Sequence, residues 1–264
     1  MLNWTPCWTP YACSSQGKRA YQEDNYGVFE SFGAPEQDHL LLVLADGMGG
    51  ERGGAIASKL AVRQFIATFK NNSAVPIPQR LSESLEQANQ IIADEVAARP
   101  YELSGMGCTL LAAVINAMEL YWISVGDSPL WMCRDGQLAR LNQDHSYRAV
   151  LAQQVAAGEL TAEAAQRHPY QNALLSAVTG ATLNMIDLTE EPVALHPDDQ
   201  ILLASDGLLT LSADTIAEKL MQSASGRTCQ QLLAAVTAAD LPYQDNVTVV
   251  LAKMAPKPVR NTTS

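Results

Sequence analysis

Basic residues are scarce: 17 lysines and arginines face 28 aspartates and glutamates, for a formal net charge of -11 over 264 residues. So little positive surface leaves few contacts that release counterions from a phosphate backbone or an anionic bilayer, and neither nucleic acid nor membrane is expected as a partner. Cysteine is also sparse. The five present are an odd number without CxxC spacing, which excludes a disulfide framework or zinc ribbon and fits a reducing, cytoplasmic setting. No stretch approaches the ~18 uninterrupted apolar residues of a membrane span. The N-terminal "MLNWTPCWTPYACSSQGKR" lacks the basic-then-apolar layout of a signal peptide. A GxSxG elbow and a GxxxxGK[ST] loop are both missing, and "GMGGERGG" fails GxGxxG because Arg52 stands where the last glycine belongs. His39, His145, His168 and His196 are scattered; His145, within "QDHS", reads as a structural or rim residue rather than a catalytic base.

Hydrophobic residues make up 47% of the chain, enough for a substantial core in one large domain. Short apolar runs predict strands: "YGVF" (26–29), "LLLVLA" (40–45), "TLLAAVI" (109–115), "LYWISVG" (120–126), "LWMC" (130–133), "ILLAS" (201–205) and "VTVVLA" (247–252). "RDGQ" at 134–137 carries the Asp-Gly signal of a tight hairpin, making the middle strands antiparallel neighbours. Helical spacing joins Ile56, Leu60, Phe65, Ile66 and Phe69, and then Leu81, Leu85, Ala88, Ile92 and Val96. Further helices are expected from Tyr147 to Ala157 with a stop at Gly158, in a turn begun by Thr161, from Ser212 to about Met221, and from Thr228 to Ala239. Helices come in pairs and strands in runs, so the fold class is α+β with packed antiparallel sheets. Residues 1–254 read as one domain, and the Pro-rich 255–264 as a flexible tail.

Acids recur in one context. Asp46 follows "LLLVLA", Asp127 follows "YWISVG", Asp206 follows "ILLAS", Asp245 precedes "VTVVLA", and Glu23 and Asp24 precede the first predicted strand. Asp-Gly pairs are common turn chemistry, so each alone is more often a turn than a ligand. Four beside strongly apolar strands describe a cluster at one rim of a β-core. Oxygen ligands without Cys or His select Mg²⁺, Mn²⁺ or Ca²⁺, and two such ions ~3.5–4 Å apart could share Asp46 and activate a water. Arg19 is the basic residue beside the first acid pair and suits bidentate phosphate binding.

The ordered set "GKRAYQEDNYGVF", "LLLVLADGMGGERGG", "GMGCTLLAAVI", "YWISVGDSPLWMCRDGQLARLNQDHS", "NALLSAVTG", "ILLASDGLLTLS" and "DNVTVVLAKM", spanning Gly17 to Met254, resembles the metal-dependent serine/threonine protein phosphatases of the PP2C type (the PPM family) in their bacterial stand-alone form. The resemblance implies an antiparallel β-sandwich flanked by helix pairs on both faces, with two Mn²⁺ or Mg²⁺ ions in a cleft at one end. It implies that Asp46 bridges both ions, that the Gly47 carbonyl joins one, and that Asp206 and Asp245 complete the other. Glu23 and Asp24 would hold metal-bound water, Arg19 the phosphate, and Asp127 a third, weakly bound ion. Residues 146–168 would form a mobile flap. Departures are Met48, where many eukaryotic relatives carry the histidine proposed as general acid; Gln22 for asparagine; Pro129 for arginine; and "SAVTG", one residue longer than usual.

The implied activity is hydrolysis of phosphoserine and phosphothreonine in proteins by a metal-activated water, opposing a serine/threonine kinase, in a monomer. A catalytically silent pseudophosphatase that binds phosphoproteins is the alternative. Retention of Asp46, Asp206 and Asp245 argues against it. A calcium-stabilised binding module would bind metal without releasing phosphate.

Overall fold

A computed structural model describes residues 6–31, 39–49, 52–222 and 226–256. The strands and helices in chain order are β1 (Pro6–Ser15), β2 (Asn25–Ser31), β3 (His39–Ala45), β4 (Gly47–Met48), α1 (Gly53–Asn71), α2 (Ile77–Ala98), α3 (Pro100–Leu103), β5 (Gly107–Cys108), β6 (Leu110–Asn116), β7 (Glu119–Val125), β8 (Leu130–Arg134) and β9 (Gln137–Arg140). There follow α4 (Tyr147–Ala156), α5 (Ala162–Gln166), β10 (Asp187–Leu188), β11 (Val193–Ala194), β12 (Gln200–Ala204), a 3-10 turn (Asp206–Thr210), α6 (Ala213–Gln222), α7 (Thr228–Ala238) and β13 (Val247–Pro256).

The long strands form two sheets, ordered β1-β13-β12-β8-β9 and β10-β7-β6-β3-β2, with antiparallel pairing throughout. Strand periodicity divides the core into three layers. Even residues of β3 (Leu40, Leu42, Leu44) meet Leu111 and Ala113 of their own sheet and Ile201, Leu203 and Val250 of the other. Odd residues (Leu41, Val43, Ala45) face the opposite way, onto Ala61, Phe65 and Phe69 of α1 and Leu81, Leu85 and Ile92 of α2. On the far side, Trp131, Leu202, Val249 and Leu251 pack against Ile216 and Leu220 of α6 and Cys229, Leu232 and Val236 of α7. Full burial of each large side chain contributes about 1.5–3 kcal/mol, so the sandwich is held from both faces. The expected α-β-β-α order is therefore present.

Local signals act as expected. Asp135 and Gly136 both adopt positive φ (52° and 77°) between β8 and β9, the backbone of the Asp-Gly hairpin. Thr161 Oγ1 accepts from Ala164 N–H at 3.2 Å, and Ser212 Oγ from Thr215 N–H at 3.2 Å, capping α5 and α6. Cys13, Cys108, Cys133 and Cys229 are free thiols.

Two expectations need correction. The N-terminal segment, read only for targeting signals, forms β1, paired with β13 in register from Pro6↔Pro256 to Ser15↔Val247. Its prolines argue against a central strand but are tolerated at an edge, and β1 is the edge of its sheet. The same pairing draws Ala255 and Pro256 into β13, so the expected tail is shorter; residues 257–264 lie outside the described residues.

Candidate active site

Asp46 leaves the end of β3 with its backbone clamped on both sides. Its N–H donates to Thr109 Oγ1 at 2.9 Å, and its carbonyl accepts from Thr109 N–H at 2.8 Å. Gly47 and Met48 then pair with Cys108 and Gly107. Glycine is required at 47, because a Cβ there would strike the carbonyls of Gly54 and Glu23. This close approach brings the N-terminal turn of α1 against the segment before β2. On that segment, Glu23 N–H donates to Asn246 Oδ1 at 2.8 Å, tying the two sheets together at this end.

Asp206 opens the 3-10 turn just past β12, and Asp245 precedes β13. Asp127 follows Gly126, whose φ of 104° turns the chain out of β7. Arg19, Glu23, Asp46, Gly47, Asp127, Asp206 and Asp245 all line one cavity of about 680 Å³. Acids from Glu23 to Asp245, more than two hundred residues apart, thus meet. Asp24 is the exception: it is buried behind the wall, where Oδ2 accepts from Ser205 Oγ at 2.8 Å.

The electrostatics of this cluster are lopsided. Burial, then the charges of Asp24, Asp206, Asp127 and Asp245, raises the Asp46 carboxyl well above the ordinary range. Asp206 is raised by burial and by the charge of Asp245, the expected behaviour of crowded carboxylates that cannot all ionise at little cost. Burial pushes Asp24 up to about 6 and Asp127 up to about 7. Arg19 Nη2 pairs with Asp245 Oδ2 at 2.6 Å, so it is engaged with an acid rather than aimed freely into the cavity.

Hard divalent cations fit these residues. Donors are oxygen only, negative charge exceeds what Arg19 balances, and the buried Glu23 Oε1 and Asp24 Oδ1 have no hydrogen-bond partner. Among the described residues, no three acidic, thiol or imidazole groups are already gathered into a ligating set; the acids ring the cavity.

Sequence reasoning missed four contributors. Thr109 anchors Asp46, Ser205 holds Asp24, and Asn246 holds Glu23. Arg148, at the start of α4, lies 3.8 Å from Asp127 Oδ2 and 3.9 Å from Asp144 Oδ2. None has a motif around it beyond its place beside an acid. His145 is fully buried, with Nδ1 accepting from Gly126 N–H at 3.3 Å, a structural role as expected. The segment 146–168 carries α4 and α5, and Leu151 is its one buried side chain in either helix. Its two ends meet where His168 contacts the rings of Tyr147 and Tyr170, at 5.2 and 6.0 Å between centroids.

The family model for protein phosphatase 2C matches residues 17–246. The chain belongs to this family. Among curated relatives, the serine/threonine phosphatase Stp of Listeria monocytogenes is 30% identical over 238 residues, covering 89% of this chain and 91% of the relative. The crystal structure of the Mycobacterium tuberculosis phosphatase PstP is 31% identical, with a TM-score of 0.79 over 93% of this chain and 98% of that one. A PstP catalytic domain in complex with two manganese ions is 29% identical, with a TM-score of 0.76 over 95% of this chain and all of that one.

For this phosphatase 2C chain, the raised carboxyls set a pH dependence. Each binds its proton more tightly folded than unfolded, so the folded state holds more protons between the unfolded value near 4 and the folded values of about 6 and 7. Stability from this source is therefore present at low pH and lost as pH rises through that window. In chelator, this contribution to Tm should fall from pH 5 to 7.5. If the cavity acids Asp46, Asp127 and Asp206 hold the ion, the Tm increase produced by Mn²⁺ should grow over the same range, because cation and proton would compete for their oxygens. A Mn²⁺ increment that does not depend on pH would contradict the assignment of these acids.

Proposed function

We propose that this chain is a metal-dependent phosphatase that removes phosphate from phosphoserine and phosphothreonine in proteins, with Asp46, Asp206, Asp245 and the Gly47 carbonyl holding two Mn²⁺ or Mg²⁺ ions. The observation that carries this reading is the convergence of acids from both sheets on one cavity with an arginine at its rim. When bound, the ions supply positive charge for the phosphate oxygens and lower the pKa of water. The other roles belong to the chain itself. Asp46 sits on the doubly clamped backbone beside Thr109, and its position is fixed before substrate arrives. Glu23, with one buried oxygen free, and Asp24, from behind the wall, orient water.

Arg19 binds the equatorial oxygens of the phosphate by a charge-assisted pair. Its side chain is 55% exposed, so exchanging Asp245 for substrate needs no rearrangement of the core. Asp127 is the remaining acid of the wall and the candidate partner of a third, weaker ion. Residues 146–168 are read as the flap beside the cleft, its two ends meeting where His168 contacts Tyr147 and Tyr170. The protein is proposed to act as a cytoplasmic monomer opposite a serine/threonine kinase. No helix among the described residues is long and apolar enough to cross a membrane.

The test is phosphate release from a phosphothreonine peptide and from p-nitrophenyl phosphate with Mn²⁺, Mg²⁺, Ca²⁺ or chelator. Mn²⁺-dependent release is expected; phosphopeptide binding with no release in any metal would overturn the reading in favour of a silent scaffold. Arg19→Ala should raise KM on the order of tenfold, the loss of one charged hydrogen-bonding pair, while kcat changes less. A defect confined to kcat would remove Arg19 from phosphate binding.

A further inference from the structure

The few cations of this acidic chain are not evenly spread. Arg52, Lys59, Arg63 and Arg99 line a second groove, of about 540 Å³, in which Glu95 is the one acid among the lining residues. Arg99 is paired with Glu95. Arg52, Lys59 and Arg63 are exposed and have no ion-pair partner among the described residues. Lys59 and Arg63 also stand four apart on α1, a like-charge spacing that destabilises a helix. In a chain with 28 acids, folding gains nothing from leaving these three without an acidic partner among the described residues.

The groove adjoins the catalytic wall. Ser58 Oγ of α1 donates to the Glu23 carbonyl at 2.6 Å, and Gly54 is packed against Gly47 and Glu23. One side of α1 thus touches the acid cavity while the side carrying Lys59 and Arg63 lines the groove. Arg63 stands nine positions after Gly54, about 13.5 Å of helix, which an extended peptide covers in roughly four residues. Tyr21, 46% exposed, together with Ile56 and Leu60, gives the groove apolar surface.

We propose that this groove docks an acidic segment of the substrate protein, roughly two to five residues from the phosphorylated one. The proposal rests on the phosphatase reading and adds a preference to it. The net charge of -11 disfavours such a segment over most of the surface; the stripe of Arg52, Lys59 and Arg63, without acidic partners among the described residues, gives it a favourable place and so sets its direction across the cavity.

The experiment compares phosphothreonine peptides with acidic, neutral and lysine flanks, alongside p-nitrophenyl phosphate, in the wild type and in the Lys59→Glu, Arg63→Glu double variant. The wild type should prefer the acidic flank, less so at higher ionic strength. In the double variant, kcat/KM for the acidic peptide should fall about tenfold, the lysine-flanked peptide should gain, and p-nitrophenyl phosphate should be unaffected. The milder Lys59→Gln, Arg63→Gln pair should show the same order with a smaller drop. Equal kcat/KM for all flanks in the wild type, or an equal loss on p-nitrophenyl phosphate in both variants, overturns the docking groove. Fluorescence anisotropy of a labelled acidic phosphopeptide separates the two readings. Binding that the variants weaken, without turnover of any substrate, keeps the groove and ends the phosphatase assignment; turnover indifferent to flank does the reverse.

Discussion

Asp46→Asn should lose kcat on the order of a thousandfold with Mn²⁺ while the metal-free protein becomes more stable. The first effect follows from removing the acid expected to serve both ions; several kcal/mol of charge stabilisation vanish with it, and each 1.36 kcal/mol is tenfold in rate. The second follows from the crowding of charge, since Asp46 is opposed by burial and by four neighbouring aspartates. An amide of the same shape keeps the backbone clamp to Thr109, which uses only the Asp46 N–H and carbonyl. Relief of that repulsion should raise Tm in chelator by roughly 2–4 °C per kcal/mol for a chain of this size. Melting curves and initial rates on one preparation decide it. A variant that stays active, or that melts lower without metal, would mean that Asp46 is not the central acid of the cluster. The trade of stability for function is common where like charges are gathered for a ligand.

Gly207→Ala should be among the most damaging changes of a single methyl group. Gly207 follows Asp206 in the turn, and a Cβ there would collide with the Asn246 carbonyl and come within 2.9 Å of Val247 Cγ2. Backbone must move to admit it, and the two segments pushed apart carry Asp206 and Asp245. Overpacking of this kind costs about 1–3 kcal/mol, and displacement of about 1 Å at a reacting centre can cost about a hundredfold in rate. Both a lower Tm and weaker Mn²⁺ binding by calorimetry are expected. Gly158→Ala is the control. It has φ of +75° but open space around the added carbon, so it should lower stability slightly and leave Mn²⁺ affinity alone. If the two variants bind Mn²⁺ equally well, close approach at Gly207 does not set the spacing of the acids.

Much of this was legible in the chain because apolar periodicity is a direct record of burial. "LLLVLA" has no polar alternation, and β3 is indeed covered on one face by α1 and α2 and on the other by the second sheet. The acids were visible because a carboxylate ending such a run needs a reason. What stayed hidden has no periodic signature. β1 contains two prolines and takes its stability from ten cross-strand partners in β13, far away in sequence. Thr109, Ser205 and Asn246 are ordinary polar residues whose roles depend on which backbone group lies opposite them. Arg19 reads as a phosphate ligand from its neighbours in sequence, and only the fold shows that Asp245 holds it. The unmatched cations of α1 look like any solvated helix face until the groove around them is seen.

Asp46 and Asp127 hang from strands of one sheet, Asp206 and Asp245 from strands of the other. A cation held by acids of both sheets would act as a clasp between two leaves that meet mainly through oily contacts, with a few polar ties such as Glu23 to Asn246 and Ser205 to Asp24 at the same end. Loading such a clasp would make parting of the leaves harder, so the seam would stiffen as the ions bind. Damage deep between the leaves, at Leu44 or Leu203 for instance, reaches the chemistry by changing the gap that the clasp must span.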